Sequence, residues 1–432
     1  LEELLGESAS NLLSPVMPIA GVLSALLPIG KLKNTLVQTS VGGRKAPATA
    51  VAGAVGYAEF SIRVQVIIGK DVWINQDEVY KTDDQSVSVS ATTKFRYASQ
   101  MGSGLDKEKV GLFKKEGAGA SLAGGGGNLL LLFVNVETVA RVEQGASIRT
   151  GTNETFALQA TTDIVDIATA KSGGDAGKFA LSGIFSLGVF KSLTLAHIES
   201  GVVITGGGLD VNATDRILII NSGGNIISGE NAGVGVSVSV NEVERGNFAI
   251  IGNRITDSDQ SVGDEGTSID VSGDINVNAV STGNIISVSL AAAKVAEQKQ
   301  KGQGQDTAGA TAGAPSSNAD GGQGKFGIGF SGDVSINITI DNVEAYINDA
   351  GTIKTSEKIT VAATNNTNVF SFSGSFSIVK TGKNASAGIA GSASLITLNG
   401  TTHAFISGKA KDNNNTSEAA QLTDSAESIG II

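Results

Sequence analysis

The feature that most limits how this chain can fold is a phrase repeated along it. An apolar strand closes on Ala, passes through Ile or Val, meets Gly and gives way to a second short strand. The phrase occurs at Ala140 to Gly145, Ala196 to Gly201, Ala249 to Gly252, Ala345 to Gly351 and Ala404 to Gly408, with a weaker copy from Val64 to Gly69. A second marker of alternating residues closes on Ala in constant order with the first. It reads Val89-Ser90-Ala91-Thr92, Leu158-Gln159-Ala160-Thr161, Val211-Asn212-Ala213-Thr214, Val277-Asn278-Ala279-Val280 and Val361-Ala362-Ala363-Thr364. The Ala anchors at 140, 196, 249, 345 and 404 are 56, 53, 96 and 59 residues apart, and the outlier contains an insertion. A unit that cannot bury its own apolar face must stack on its neighbours, so the pattern predicts an elongated solenoid.

The residues of the repeat specify strands. Ser86 to Ser90, Thr155 to Leu158, Val234 to Val240, Ser268 to Val271, Asp274 to Val277, Val334 to Ile340 and Phe370 to Ser373 alternate with period two, Val, Ile and Phe on one face and Ser, Asn or Asp on the other. Each strand is expected to keep one wet side. Only Ser289 to Gln300 hints at a helix, or simply ends a strand. All five Pro lie at or before Pro47 or at Pro315, leaving the repeats free of the residue that breaks sheet ladders. The expected fold is all-β, a right-handed parallel β-helix with insertions on one side and two to three rungs per repeat. β-Sandwich modules and a propeller are the competing folds, and the single Trp, Trp73, with many small side chains favours a narrow stacked core. Residues 1–60 read as apolar strands or a degenerate capping repeat, 61–408 as the repeats, and 409–432 as a polar tail or the start of another repeat.

The absence of Cys excludes disulfides, thiolate metal sites and Cys nucleophiles, and the net charge of −11 argues against a nucleic-acid partner. Leu12 to Ile29 is apolar, but its three Pro and the acidic start speak against a membrane span. The chain opens on Leu1-Glu2-Glu3 without a basic leader and reads as a segment of a longer precursor with flanking repeats. Insertions at Met101 to Gly117, Lys171 to Gly177, Asn221 to Ala232, Lys299 to Gly324 and Lys380 to Asn384 share one phase of the repeat, so they should emerge on one side. Lys107, Lys109, Lys114 and Lys115 in the first of them are the candidate partner-binding group.

Signals for chemistry are weaker. Asp257, Asp259, Asp264 and Glu265 gather carboxylate oxygens that could hold calcium, yet Val262 stands where an EF-hand loop needs Gly, and a solvated acidic turn is the simpler reading. No other cofactor is indicated. His197 and His403 occupy nearly matching repeat positions several rungs apart, read as solvent-facing strand residues in preference to a metal pair or catalytic base. Gly124 to Gly127 reads as a flexible turn, since no phosphate-loop Lys-Ser/Thr follows. A carbohydrate-active β-helix, lyase or glycan-binding module, would need aromatic platforms, and Trp73, Tyr80, Tyr97 and Tyr346 are scattered among repeats. No catalytic residue is assigned.

The segments Gly-Val-Gly-Val-Ser-Val-Ser-Val-Asn at 233–241, Ala-Arg-Val-Glu-Gln-Gly-Ala-Ser-Ile at 140–148 and Val-Asn-Ala-Thr at 211–214 resemble the repeat region of large filamentous bacterial adhesins and exoproteins, of filamentous haemagglutinin or leukotoxin type. The resemblance covers about Ile62 to Ile406. It implies a β-helix exported by type V secretion and displayed or released at the cell surface. There it would act non-enzymatically in attachment to a host-cell or bacterial receptor or glycan.

Overall fold

The computed structural model describes residues 36–41, 49–103, 118–120, 122–176, 178–229, 231–255, 266–295, 327–348, 350–379, 386–407, 409–411, 417–419 and 428–431. All regular structure in them is β. Strand β1 (Leu36–Val41) precedes a first coil of β2 (Thr49–Ile68), β3 (Trp73–Ile74) and β4 (Val87–Ser103). The short β5 (Ala118–Ala120) leads to a second coil, β6 (Ala123–Val142), β7 (Ser147–Arg149) and β8 (Thr155–Ala176). The third is β9 (Phe179–Ile198), β10 (Val203–Gly206) and β11 (Gly208–Gly229), and the fourth is β12 (Ala232–Gly252), β13 (Thr267–Val271) and β14 (Ile275–Val295). The fifth is β15 (Gly327–Asn348), β16 (Ala350–Thr355) and β17 (Lys358–Val379). Then come β18 (Ser386–Ser407), β19 (Lys409–Lys411), β20 (Ser417–Ala419) and β21 (Ser428–Ile431).

The first strand of every coil joins a front sheet ordered β18-β15-β12-β9-β6-β2, the short second strands form a bridge sheet β16-β13-β10-β7-β3, and the third strands form a back sheet β1-β4-β8-β11-β14-β17-β21. Pairing within all three sheets is parallel, so the chain is a parallel β-solenoid. Both repeated markers are registration marks. Ala140, Ala196, Ala249, Ala345 and Ala404 pair in one column of the front sheet. The closing Ala91, Ala160, Ala213, Ala279 and Ala363 pair in one column of the back sheet.

One repeat is a single coil, not two or three rungs. The reason is strand length: β9 has 20 residues and β11 has 22, each spanning about 70 Å at about 3.3 Å per residue. Unbroken alternation without Pro lets each ladder run on. Of the two readings of Ser289 to Gln300 the strand end holds as far as Val295, where β14 stops and the described residues end, and Gly124 to Gly127 lie inside β6 instead of in a turn. Two of the expected insertions are likewise strand, since β8 extends to Ala176 and β11 to Gly229. The strand β2 runs continuously through residue 60.

The cross-section is flattened, and its two ends differ. Near the bridge sheet the interior is apolar: Ala140, Ile198, Ile204, Phe156, Leu209 and Val277 are all buried within a core that continues through every coil. Gly145 and Gly201 make the turn into the bridge sheet with φ of 80° and 77°, a left-handed conformation that Gly adopts without strain. At the opposite end, the return corner where a back strand gives way to the next front strand, the alternation is inverted. Ser237, Ser239 and Asn241 of β12 and Ser331, Asp333, Ser335 and Asn337 of β15 face inward and are buried. The wet side expected from the alternation is the lumen there, and the Val and Ile between them face out. Inverted packing is feasible because the sheets approach closely: a Cβ on Gly126 would lie 2.9 Å from the Gly173 carbonyl oxygen.

Candidate functional site

The chemistry-bearing side chains collect in the lumen. A line of hydrogen bonds crosses repeatedly between front and back sheets. Thr138 donates to Thr93 at 2.7 Å, Thr162 to Thr138 at 2.9 Å, Thr194 to Thr162 at 2.7 Å, and Ser192 to Asp215 at 2.7 Å. The line ends in a charged cluster. Arg245 Nε donates to Asp341 Oδ1 at 2.7 Å and its Nη1 donates to Asp215 Oδ1 at 3.2 Å, while Nη1 also reaches the Thr282 carbonyl at 3.1 Å. Thr367 caps the cluster by donating to Asp341 Oδ2 at 2.7 Å. All three charged side chains are buried, Arg245 being 1% exposed.

Burial pushes Asp215 up from the usual carboxylate range, and Arg245 with the Ser192 and Thr194 hydroxyls opposes that rise. Burial also works against the charge on Arg245, but the hydrogen bond to Asp341 and the two carboxylates raise its pKa and hold it protonated. Such a cluster fixes which strands face each other across the lumen more than it adds net stability. Its three charged side chains are 0–2% exposed, while Thr367 is part-buried beside the exposed Asn365. Parallel polar ladders share the return corner with two small apolar clusters, one around Met101, Leu130 and Ile184 and one around Ile227. Ser186, Asn221, Asn241 and Asn337 form one chain at 2.8–3.0 Å, and Ser239, Ser287, Ser335 and Ser371 form another at 2.7–3.0 Å.

Asp333 sits in this corner, accepting from Ser289 and, at 2.7 Å, from the Gly374 amide. Burial raises its pKa to about 6 against those hydrogen bonds. Burial likewise lifts Asp166 well above the carboxylate range.

Of the residues singled out in the sequence, Lys107, Lys109, Lys114 and Lys115, together with Asp257, Asp259, Asp264 and Glu265, lie outside the described residues. So does the apolar run Leu12 to Ile29. Among the described residues no group of three or more His, Asp or Glu could hold a metal ion. His197 is not solvent-facing as expected: it is 8% exposed, its Nε2 lies 2.8 Å from the Gly252 carbonyl oxygen, and burial lowers its pKa. His403 is exposed and pairs with Glu344 in register, three strands away from His197 in the front sheet. Of the four scattered aromatics, Tyr97 and Tyr346 are buried, whereas Trp73 and Tyr80 are exposed near the start of the bridge sheet.

The Asp215–Arg245–Asp341 cluster was not anticipated, although a signal for it exists. Arg245 and Asp341 each stand four residues before an Ala anchor, and Asp215 stands two residues after Ala213. Charges that share the phase of buried Ala are inward-facing and must meet a partner.

Segments 104–117, 296–326 and 380–385, which carry the binding expectation, lie outside the described residues. The strand ends that flank them, Ser103 and the β5–β6 region, Val295 and Gly327, and Val379 and Ser386, lie at the return corner. No helix among the described residues is long and apolar enough to cross a membrane. No family model matches the chain, and neither a curated protein nor a solved structure does.

Proposed function

We propose that this chain is a non-enzymatic structural and adhesive segment of a large secreted or surface-displayed bacterial repeat protein. A stiff stack of coils would hold a row of return-corner insertions toward a cell-surface receptor or glycan. The observation that carries the reading is the in-register stacking of whole repeats, with the back-strand ends at Ser103, Val295 and Val379 all at one corner. Parallel ladders about 20 residues wide resist bending and shear, and side-by-side coils bring successive insertions about 4.8 Å apart per strand, so weak contacts would act together. The resemblance to filamentous haemagglutinin-like exoproteins points the same way, and with it to an extracellular setting. Burial of the lumenal carboxylates Asp215, Asp333 and Asp341 favours this over a carbohydrate-cleaving β-helix.

The test is to delete residues 300–323 and, separately, residues 104–117. The far-ultraviolet circular dichroism and the small-angle scattering profile should not change. Binding to a panel of cell surfaces and immobilised glycans should fall for at least one deletion. Equal binding by both deletions and the intact chain would refute adhesion through these insertions.

A further inference from the structure

The outer surface of the front sheet at its return-corner end is apolar over an area that water alone does not explain. Reading across the six-stranded sheet, one outward column is Val51, Gly125, Leu181, Val234, Phe330 and Ile389. Leu181 is 61% exposed and Ile389 55%. Two residues on, the outward column is Gly53, Gly127, Gly183, Val236, Gly332 and Gly391, and beyond it stands a third of Val55, Leu129, Phe185, Val238, Val334 and Ala393. Two ridges of mostly large side chains thus flank a column that is glycine in five of its six strands, Val236 of β12 being the exception.

Nothing among the described residues requires those glycines. A Cβ on Gly127 or Gly183 would come no closer than 3.7 or 3.9 Å to any atom, and one on Gly391 would meet nothing within 4 Å. None of the column's glycines has positive φ. Glycine inside a strand weakens it, and where the fold does not demand it the remaining reason is close approach by another body. The patch is bounded on the far side by charge, with Lys191 and Glu244 paired at 2.7 Å and Arg63 and Glu137 at 2.7 Å. An apolar centre with a charged rim is the anatomy of a protein interface.

We propose that this face docks against the same face of a second copy of the chain. Six strands at about 4.8 Å spacing and the nine residues from the Phe179 column to the Leu187 column at about 3.3 Å give about 850 Å² of plane per copy, close to the roughly 800 Å² per partner of a stable complex and beyond the apolar patch a typical monomer exposes. The geometry is self-matching. A two-fold axis in the interface, running along the solenoid between the Leu181 column and the Gly183 column, places each copy's ridge in the other's groove. The two rods then lie side by side and point the same way. This inference does not depend on the adhesive reading, which concerns the corner insertions.

The experiment is light scattering coupled to size-exclusion chromatography on the full chain, from about 1 to 100 µM. The expected result is a species of twice the 43.6 kDa chain mass. Gly183→Leu with Gly332→Leu, which fill the groove from the outside, should leave the circular dichroism unchanged and weaken the dimer at least tenfold. Leu181→Lys with Phe330→Lys should do the same from the ridge. A monomer at every concentration would overturn the proposal, as would a dimer that both pairs of substitutions leave intact. Co-flotation of monomeric protein with phosphatidylcholine vesicles would assign the face to lipid and overturn it too.

Discussion

Replacing Asp333 by Asn should make the protein more stable in mild alkali and leave it unchanged in acid. Asp333 lies inside the return corner, 2% exposed, between Ser289 of β14 and the Gly374 amide of β17. Its pKa is raised from 3.8 to about 6, chiefly by burial. A carboxyl whose folded pKa exceeds its unfolded value binds more protons folded than unfolded. Its stabilising protonation is complete below about 3.8 and is lost as pH rises through about 6. At pH 8 the ionised, buried carboxylate therefore carries a penalty of up to about 3 kcal/mol, at about 1.36 kcal/mol per pH unit of displacement.

Asn has the same shape and no charge. Its oxygen can accept from the Gly374 amide while its NH₂ donates to Ser289 Oγ, which already lies 2.7 Å from Ser237 Oγ. No buried polar atom is orphaned by the change. Urea denaturation of Asp333→Asn and the wild type at pH 4 and pH 8 measures the difference directly, because titrations elsewhere, including those of Asp166 and Asp215, are common to both. The expected gap is near zero at pH 4 and up to about 3 kcal/mol in favour of the variant at pH 8. A gap that is the same at both pH values would refute the argument, and so would a variant less stable at pH 8.

Arg245→Met should destabilise by about 3–5 kcal/mol, because it strands two buried carboxylates; adding Asp215→Leu and Asp341→Leu should recover much of the loss in the same denaturation assay. Gly126→Ala should cost about 1–3 kcal/mol, since its Cβ would lie 2.9 Å from the Gly173 carbonyl oxygen and the wall there is backbone. Its neighbour Gly127→Ala, pointing outward with its nearest atom at 3.7 Å, should be neutral or stabilise by up to about 1 kcal/mol. His197 should stay neutral in the folded state to a pH below its ordinary 6.5, its buried ring held at Gly252. Its folded pKa is depressed, so its contribution to stability is present above 6.5 and lost as pH falls through the lower value; an NMR titration of the His197 ring at or above 6.5 would contradict this.

The sequence by itself determined the coil and its register. The Ala anchors and the Val-x-Ala markers are small residues at the phase where a strand meets the crowded apolar core by the bridge sheet, and a core packed to that density fixes each repeat on the one before it. What only the tertiary structure decided was which face of each alternating strand is inside. Val234-Gly235-Val236-Ser237-Val238-Ser239 reads the same with either face buried, and period two alone supplies no preference. The choice was made across the lumen. Ser237 meets Ser289 at 2.7 Å, Ser239 meets Ser287 at 3.0 Å and Asn241 meets Asn337 at 2.8 Å, partners 48 to 96 residues away in the chain. Hydrogen bonds between residues so distant exist only once the coils are stacked. Near the bridge sheet three converging walls leave room for Ile, Leu and Phe. At the return corner two sheets close on each other, and the space between them is taken mostly by Ser, Asn, Ala and Gly, with Met101, Leu130, Ile184 and Ile227 as larger exceptions.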